Sequence, residues 1–192
     1  MVIGGGVIGL CTALSLAEQG VAVTLVEKGR VGAEQFSRNW GWCRTAGRVR
    51  AEVPLAAESI RLWEQLGAAV GFTRAGTALL CESEREVEWH AAWLKTAQDY
   101  QINSRLLSSS ETARLLPEAG PRFSGCLHTL EDGRAEPTIA ALVLAARVRG
   151  AGAVILEGCA ARGLDLMVGR VSGVVTERGL MGCEAVVLAG GA

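Results

Sequence analysis

Histidine is scarce in this sequence, and its cysteines do not occur in closely spaced pairs. The 192 residues contain two histidines and six cysteines, with no C-x-x-C spacing among them. Metal centres held by protein side chains need clusters of such ligands at short spacings. We therefore expect no metal site, and we expect free thiols in a reducing compartment, the cytoplasm.

Excess charge and long hydrophobic runs are also lacking. The net charge is −1, so there is no electrostatic basis for binding nucleic acid. No apolar run approaches the roughly 18 residues of a membrane span, so no transmembrane segment is predicted. A secretory leader is not expected, because a glycine-rich turn begins at residue 4. With 49% hydrophobic residues the chain can nevertheless bury a sizeable core.

The first 27 residues follow the order strand, glycine-rich turn, helix, strand and acidic residue, which is typical of dinucleotide-binding folds. The turn has the sequence Gly4-Gly5-Gly6-Val7-Ile8-Gly9, a G-x-G-x-x-G pattern. A helix is predicted over 10–19 and a second strand over 21–26. Glu27 follows that strand. Its distance in sequence from Gly9 is close to the ~20 residues expected of a carboxylate that binds ribose hydroxyls.

Each residue type in this pattern has a physical reason. Gly4 allows the tight turn out of the strand, Gly6 lets a pyrophosphate approach the backbone, and Gly9 lets the helix pack closely on the sheet. The N–H groups of the first helical turn would face the phosphates. Glu27 would repel a 2′-phosphate, so an NADP-type ligand is not expected. The motif alone does not separate FAD from NAD, and a glycine-rich turn that binds nothing is the alternative.

The remaining pattern predicts an α/β fold in which a Rossmann-like parallel sheet is interrupted by a second region. A crossover helix is predicted over 137–149, a buried strand over 154–156 and a returning strand over 185–189. The inward face predicted for the helix consists of Ile139, Leu142, Val143 and Ala146. Between these two strands, three short segments separated by glycine-containing turns predict an antiparallel meander. We assign residues 1–50 and 133–192 to the nucleotide-binding domain and 51–132 to an inserted α+β region, part of a substrate domain.

The inserted region is predicted to contain a hairpin over 71–81 and a helix over 83–100. Ser83 is the expected N-cap of this helix. Its expected core face is the aromatic stripe of Trp89, Trp93, Ala97 and Tyr100.

Four motifs, in order along nearly the whole chain, resemble the FAD-dependent amine and amino-acid oxidoreductases of the D-amino-acid oxidase family. They are the fingerprint with Glu27, Ser37-Arg38-Asn39-Trp40-Gly41, Asp132-Gly133-Arg134-Ala135-Glu136-Pro137 and Val187-Leu188-Ala189-Gly190-Gly191-Ala192. The second is similar to the small-polar stretch along the flavin, and the third to the D-G-x-x-x-P entry into the crossover helix. The fourth is similar to the V-x-A-x-G-A turn.

The resemblance implies FAD rather than NAD as the cofactor. It places the pyrophosphate at the glycine-rich turn, the ribose at Glu27 and adenine at Ala161. The cofactor-binding residues that it implies are Gly4, Gly6, Val7, Ile8, Gly9, Glu27, Lys28, Ser37, Arg38, Asn39, Trp40, Gly41, Ala161, Ala189 and Gly190.

The implied reaction is hydride transfer from the α-carbon of an amine or amino acid to flavin N5. D-amino acids, N-methyl amino acids and proline derivatives are the candidate substrates. The alternatives are a flavoenzyme acting on a hydroxy acid or glycerol phosphate, an NAD-linked enzyme, and a nucleotide-binding module without turnover. No catalytic residue, electron acceptor or oligomeric state is assigned. A dehydrogenase of this type could lie peripherally at the inner membrane.

Family members are about twice as long as this chain, and their C-terminal halves supply the arginine that binds the substrate carboxylate. We therefore expect the 192 residues to be an N-terminal fragment that is inactive by itself.

Overall fold

The computed structural model describes the backbone of residues 1–191 and the side chains of residues 1–118 and 122–191. Its strands are β1 (Val2–Ile3), β2 (Thr24–Val26), β3 (Trp42–Cys43), β4 (Thr77–Cys81), β5 (Ser104–Ser108), β6 (Gly125–Thr129), β7 (Gly133–Arg134), β8 (Val154–Leu156), β9 (Ala161–Met167), β10 (Arg170–Thr176), β11 (Gly179–Gly182) and β12 (Val187–Leu188). Its α-helices are α1 (Val7–Glu18), α2 (Val53–Leu66), α3 (Glu84–Asp99), α4 (Ser109–Leu115) and α5 (Pro137–Gly150).

The chain divides into two compact units. Unit 1 comprises Met1–Trp40 and Glu136–Ala192, and unit 2 comprises Gly41–Ala135. The sequence places the boundaries after residues 50 and 132, so residues 41–50 and 133–135 lie in the other unit from the one predicted. The reason is local pairing, because β3 and β7 form a two-stranded antiparallel ladder within unit 2.

Unit 1 is built on a four-stranded parallel sheet with the strand order β12-β1-β2-β8. Helix α1 connects β1 to β2, and α5 leads into β8, so the pairs β1-β2 and β2-β8 are reached through helical crossovers, whereas β12 follows the strands β9–β11. Strands β9, β10 and β11 form a separate antiparallel sheet with β10 in the centre. These findings confirm the predicted fold class, including the three-stranded meander and the return of the last strand to the parallel sheet.

Small and apolar residues form the core of unit 1. The fully or almost fully buried side chains are Val2, Leu10, Ala13, Leu25, Val26, Ala140, Ala141, Leu144, Ala145, Val148, Cys159 and Val174. Helix α5 therefore buries alanines between larger residues. The face predicted for this helix, with Ile139 and Leu142 inward, is wrong, because these side chains are 47% and 64% exposed. An almost continuously apolar helix can bury any of several faces, and tertiary packing decides which face is buried.

Unit 2 is an α+β structure around a three-stranded antiparallel sheet with the order β4-β6-β5. The hairpin predicted over 71–81 is wrong: β4 pairs with β6, and Thr73 instead forms a bridge with Arg134. The aromatic stripe predicted as the core face of α3 is only partly buried. Trp89 is 63% exposed, and His90 is buried instead.

Candidate nucleotide-binding cleft

A cleft of about 590 Å³ opens at the carboxyl ends of the parallel strands of unit 1. This edge is where open α/β sheets bind ligands. The cleft is lined by Gly4, Gly5, Gly6, Val7, Ile8, Glu27, Lys28, Arg30, Gly32, Ala33, Glu34, Gln35, Phe36, Arg38, Asn39, Ala189, Gly190 and Gly191.

Two glycines of the fingerprint are required by close packing. Gly4 has a φ of +110°, and a Cβ there would lie 2.7 Å from the carbonyl carbon of Ala189. A Cβ on Gly9 would collide with the carbonyl oxygen of Gly4, so Gly9 is where α1 rests on the turn. Both positions therefore exclude a side chain through contacts within unit 1, as the fingerprint predicts for a tight turn and a helix contact.

Gly6 is different, because a Cβ at this position would meet no other group within 4 Å. Its φ of −78° is accessible to any residue. Neither packing nor backbone strain therefore requires glycine here, and the missing side chain leaves space at the cleft. A glycine at this position would suit a ligand that comes close to the backbone.

The N-terminus of α1 has hydrogen-bond donors to offer to that ligand. The first N–H groups of a helix have no intrahelical acceptor. Gly6 is the N-cap and provides no side-chain acceptor, and the first turn contains no acidic residue. The donors and the positive end of the helix dipole thus suit a phosphate group.

Glu27 lies at the end of β2 and is buried, with a 7% exposed side chain. Its Oε2 accepts a hydrogen bond from the N–H of Gly5 at 2.7 Å, and its Oε1 accepts one from the N–H of Gly29 at 2.8 Å. Each carboxylate oxygen can accept a further hydrogen bond. Glu27 therefore fixes the glycine-rich turn and still has acceptor capacity toward the cleft.

The wall formed by residues 28–39 brings positive charge to the cleft. Lys28, Arg30 and Arg38 line it together with one further acidic residue, Glu34. Arg38 and Glu34 are 3.7 Å apart and both well exposed, so their attraction is weak. The balance of charges suits an anionic ligand such as a diphosphate.

Most of the predicted site residues meet in this cleft. Those that line it are Gly4, Gly6, Val7, Ile8, Glu27, Lys28, Arg38, Asn39, Ala189 and Gly190. Ala192, the last residue of the fourth motif, lies outside the described residues.

Five predicted residues are placed elsewhere. Gly9 is buried beneath the turn, and the hydroxyl of Ser37 donates to the carbonyl of Glu34. Trp40 is outside the cleft lining formed by the described residues, and Gly41 belongs to unit 2, where its carbonyl accepts the N–H of Ala135. Ala161 begins β9 in the separate antiparallel sheet. For Ser37, Trp40 and Gly41 the reason is that sequence order does not tell which consecutive residues of an irregular segment face a cleft.

The prediction missed several lining residues, namely Gly5, Arg30, Gly32, Ala33, Glu34, Gln35, Phe36 and Gly191. Gly5 and Gly191 lie within the first and fourth motifs, whereas the other six residues have a weak signal because they lie in an irregular segment without periodicity. Gly32 could have been noticed as a glycine within this segment. The structure shows why glycine is needed there: its φ is +69°, and a Cβ would collide with Ala141 of α5.

Unit 2 contains a smaller pocket of about 290 Å³ that the sequence did not predict. Trp42, Ile60 and Trp63 give it an apolar wall, and Arg44 and Arg48 add positive charge. The Arg44 guanidinium lies 5.5 Å from the centre of the Trp42 ring. Burial, and to a smaller extent repulsion from Arg48, lowers the pKa of Arg44 from its ordinary value. An arginine side chain remains charged at neutral pH.

Comparison with known proteins identifies the family. The family described as FAD dependent oxidoreductase, DAO, matches residues 1–192. The chain belongs to this family. FAD is the cofactor of the family, and the resemblance inferred from the four motifs is confirmed.

Relatives and solved structures align with almost the whole chain. Mitochondrial sarcosine dehydrogenase from Mus musculus is 28% identical, over 97% of this chain and 22% of that protein. Sarcosine oxidase subunit beta from Rhizobium meliloti is 26% identical, over 98% of this chain and 48% of its own length. The structure of L-amino acid deaminase from Proteus myxofaciens superposes with a TM-score of 0.91 at 31% identity, covering 99% of this chain and 44% of that one.

The chain thus spans about half, or less, of the length of these relatives. Among residues 1–191, no helix is long and apolar enough to cross a membrane.

Proposed function

We propose that unit 1 binds FAD in the cleft at the glycine-rich turn. The observation that carries the proposal is the open space at Gly6 beside the uncapped N-terminus of α1. Gly4 and Gly9 are explained by packing alone, but Gly6 is not. Family membership names FAD as the ligand that would fill this space.

The residues of the cleft fit the parts of this cofactor. The backbone of Gly6 and the first turn of α1 would hold the pyrophosphate, and Lys28 and Arg30 would add positive charge on the same side. Glu27 would accept hydrogen bonds from ribose hydroxyls. The bound flavin supplies the redox chemistry by accepting a hydride, and the protein supplies binding and orientation.

For the whole protein we propose oxidation of an amine or amino acid. The named activities of the relatives support this substrate class, since they include sarcosine dehydrogenase and sarcosine oxidase. D-amino acids, N-methyl amino acids and proline derivatives are the candidates within it. The six cysteines are free thiols, which supports a reducing compartment such as the cytoplasm as the place of action.

The cofactor proposal is tested by titrating the purified 192-residue protein with FAD and, separately, with NAD. Saturable quenching of flavin fluorescence with one site, and no comparable binding of NAD, is the expected result. Binding of NAD alone would overturn the choice of cofactor. No binding of either nucleotide would overturn the assignment of the cleft.

The substrate proposal is tested by anaerobic mixing of the FAD-loaded protein with candidate substrates. A panel of D-amino acids, N-methyl amino acids, proline derivatives, a hydroxy acid and glycerol phosphate is followed by the loss of flavin absorbance. Bleaching by amines is expected of a protein that contains the complete active site. Bleaching by the hydroxy acid or glycerol phosphate alone would replace the substrate class. In the whole protein, bound flavin that no compound reduces would identify a nucleotide-binding module, whereas the 192 residues by themselves are expected to leave the flavin oxidised.

A further inference from the structure

Glu157, which the fingerprint does not include, occupies the same position after β8 that Glu27 occupies after β2. Val26 and Leu156 are register partners in the parallel pair, so the two glutamates follow directly at the carboxyl ends of neighbouring strands. Residues in that position of a parallel sheet lie at its ligand-binding edge. Glu157 is exposed and is not among the residues that line the cleft.

The carboxylate of Glu157 reaches the loop that follows β2. Its Oε1 accepts a hydrogen bond from the N–H of Val31 at 2.8 Å. The next residue contributes too, because the N–H of Gly158 donates to the carbonyl of Gly29 at 2.9 Å. The segment after β8 is thus attached to this loop at two points.

The other attachments of the loop come from the fingerprint. The N–H of Gly29 donates to Glu27, and the N–H of Gly32 donates to the carbonyl of Gly5 at 2.9 Å. Three N–H groups of residues 28–32 are therefore held, one by each glutamate and one by the glycine-rich turn. Lys28 and Arg30 alternate with the held residues and line the cleft.

We propose that Glu157 is a positioning residue that, through Val31, holds the 28–32 loop so that Lys28 and Arg30 face the FAD diphosphate region of the cleft. The inference deepens the proposed function and rests on it. The hydrogen bond that the Glu157 carboxylate accepts from the N–H of Val31 holds the loop. The ion pair of Glu157 with Arg149 contributes little, because it is long, at 3.6 Å, and half exposed. Arg178 anchors the same residue by donating to its carbonyl at 2.8 Å.

The test separates the hydrogen bond from the charge. Glu157→Ala removes the acceptor, Glu157→Gln keeps an oxygen acceptor without the charge, and Arg149→Gln removes only the ion pair. Asp165→Ala is the matched control, because that carboxylate in unit 1 also accepts one hydrogen bond, from the hydroxyl of Ser172. Affinity for FAD is measured by fluorescence titration, and thermal unfolding is measured without FAD.

We expect Glu157→Ala to raise the Kd for FAD roughly threefold to tenfold, within the net range of one ordinary hydrogen bond. Glu157→Gln should restore most of the affinity, and Arg149→Gln and Asp165→Ala should leave it unchanged. Loss of affinity in Glu157→Gln equal to that in Glu157→Ala would overturn the acceptor role.

Amide hydrogen exchange of peptides covering 28–32, measured without any nucleotide, tests independently whether Glu157 holds the loop. Faster exchange in Glu157→Ala, but not in Glu157→Gln, is expected. Unchanged exchange in Glu157→Ala would overturn the inference even if FAD binds. A wild-type protein that does not bind FAD would overturn the proposed function and the ligand role of Glu157, whereas the exchange result would still show whether Glu157 holds the loop.

Discussion

The N–H of Gly5 donates a hydrogen bond to Oε2 of Glu27, with the two atoms 2.7 Å apart. This bond joins the glycine-rich turn after β1 to the residue after β2, and a Cβ on Gly5 would lie only 3.1 Å from the Glu27 side chain, which would have to shift. Glu27 is therefore a structural part of the turn as well as a ligand candidate. A substitution of Glu27 should affect both the free protein and its affinity for the cofactor.

Replacing Glu27 by alanine should weaken FAD binding by about 1.5–3 kcal/mol, the value of a hydrogen bond to a charged group. It should also lower the free energy of unfolding of the free protein, because the N–H groups of Gly5 and Gly29 lose their acceptor. Fluorescence titration and urea unfolding measure the two effects. Glu18→Ala, an exposed acid at the end of α1, is the control. Unchanged FAD affinity would contradict the role of Glu27 at the ribose.

Replacing Gly6 by valine should abolish FAD binding while the protein stays folded. The added side chain would enter open space at the cleft, and a φ of −78° accepts valine. Circular dichroism should match the wild type, and bound flavin should disappear. Gly9→Ala is the paired variant, and it should destabilise the fold by about 1–3 kcal/mol through overpacking against Gly4. Full flavin occupancy in Gly6→Val would show that the phosphates bind elsewhere.

Replacing Asp132 by alanine should destabilise unit 2 by roughly 3 kcal/mol or more, because three donors lose a buried charged acceptor. The side chain of Asp132 is completely buried. It accepts hydrogen bonds from the N–H and the hydroxyl of Thr45, at 2.7 and 2.8 Å, and from the N–H of Ala46 at 3.1 Å. Urea unfolding checks the prediction against Glu88→Ala on the exposed face of α3. Equal stability of both variants would refute it.

The stability of unit 2 should fall as the pH is lowered below about 6.5, the ordinary pKa of histidine. Burial lowers the pKa of His90, with partial opposition from Glu86, and burial together with Arg105 lowers the pKa of His128. Between the lowered pKa values and 6.5 the unfolded chain binds more protons, so acid favours unfolding by up to about 1.4 kcal/mol per pH unit for each histidine.

Urea unfolding at a series of pH values, followed by tryptophan fluorescence, measures this dependence. Four of the five tryptophans belong to unit 2. The double variant His90→Gln with His128→Gln should lack the slope above the range where carboxylates titrate. An identical slope in wild type and double variant would assign it to other groups.

The sequence predicted correctly those helix ends that are fixed by interactions between residues close together in the chain. Ser83 caps α3 through a bond from the N–H of Glu86, and α5 begins at Pro137, both as the sequence indicated. The prediction of a hairpin over 71–81 is wrong because Gly76 does not form a turn between two paired strands of this segment. The N–H of Gly76 donates to the carbonyl of Asp132, which no local pattern reveals.

The sequence by itself determined the fold class, the family and the centre of the cleft. A strand, a glycine-rich turn and a helix in succession leave few arrangements, because parallel crossovers are almost always right-handed and Gly4 and Gly9 pack too closely for a side chain. The tertiary structure decided which face of α5 is buried, where unit 2 begins, and that Glu157 reaches Val31. Those features depend on contacts between residues far apart in the chain, and their energies are set by packing rather than by local propensity.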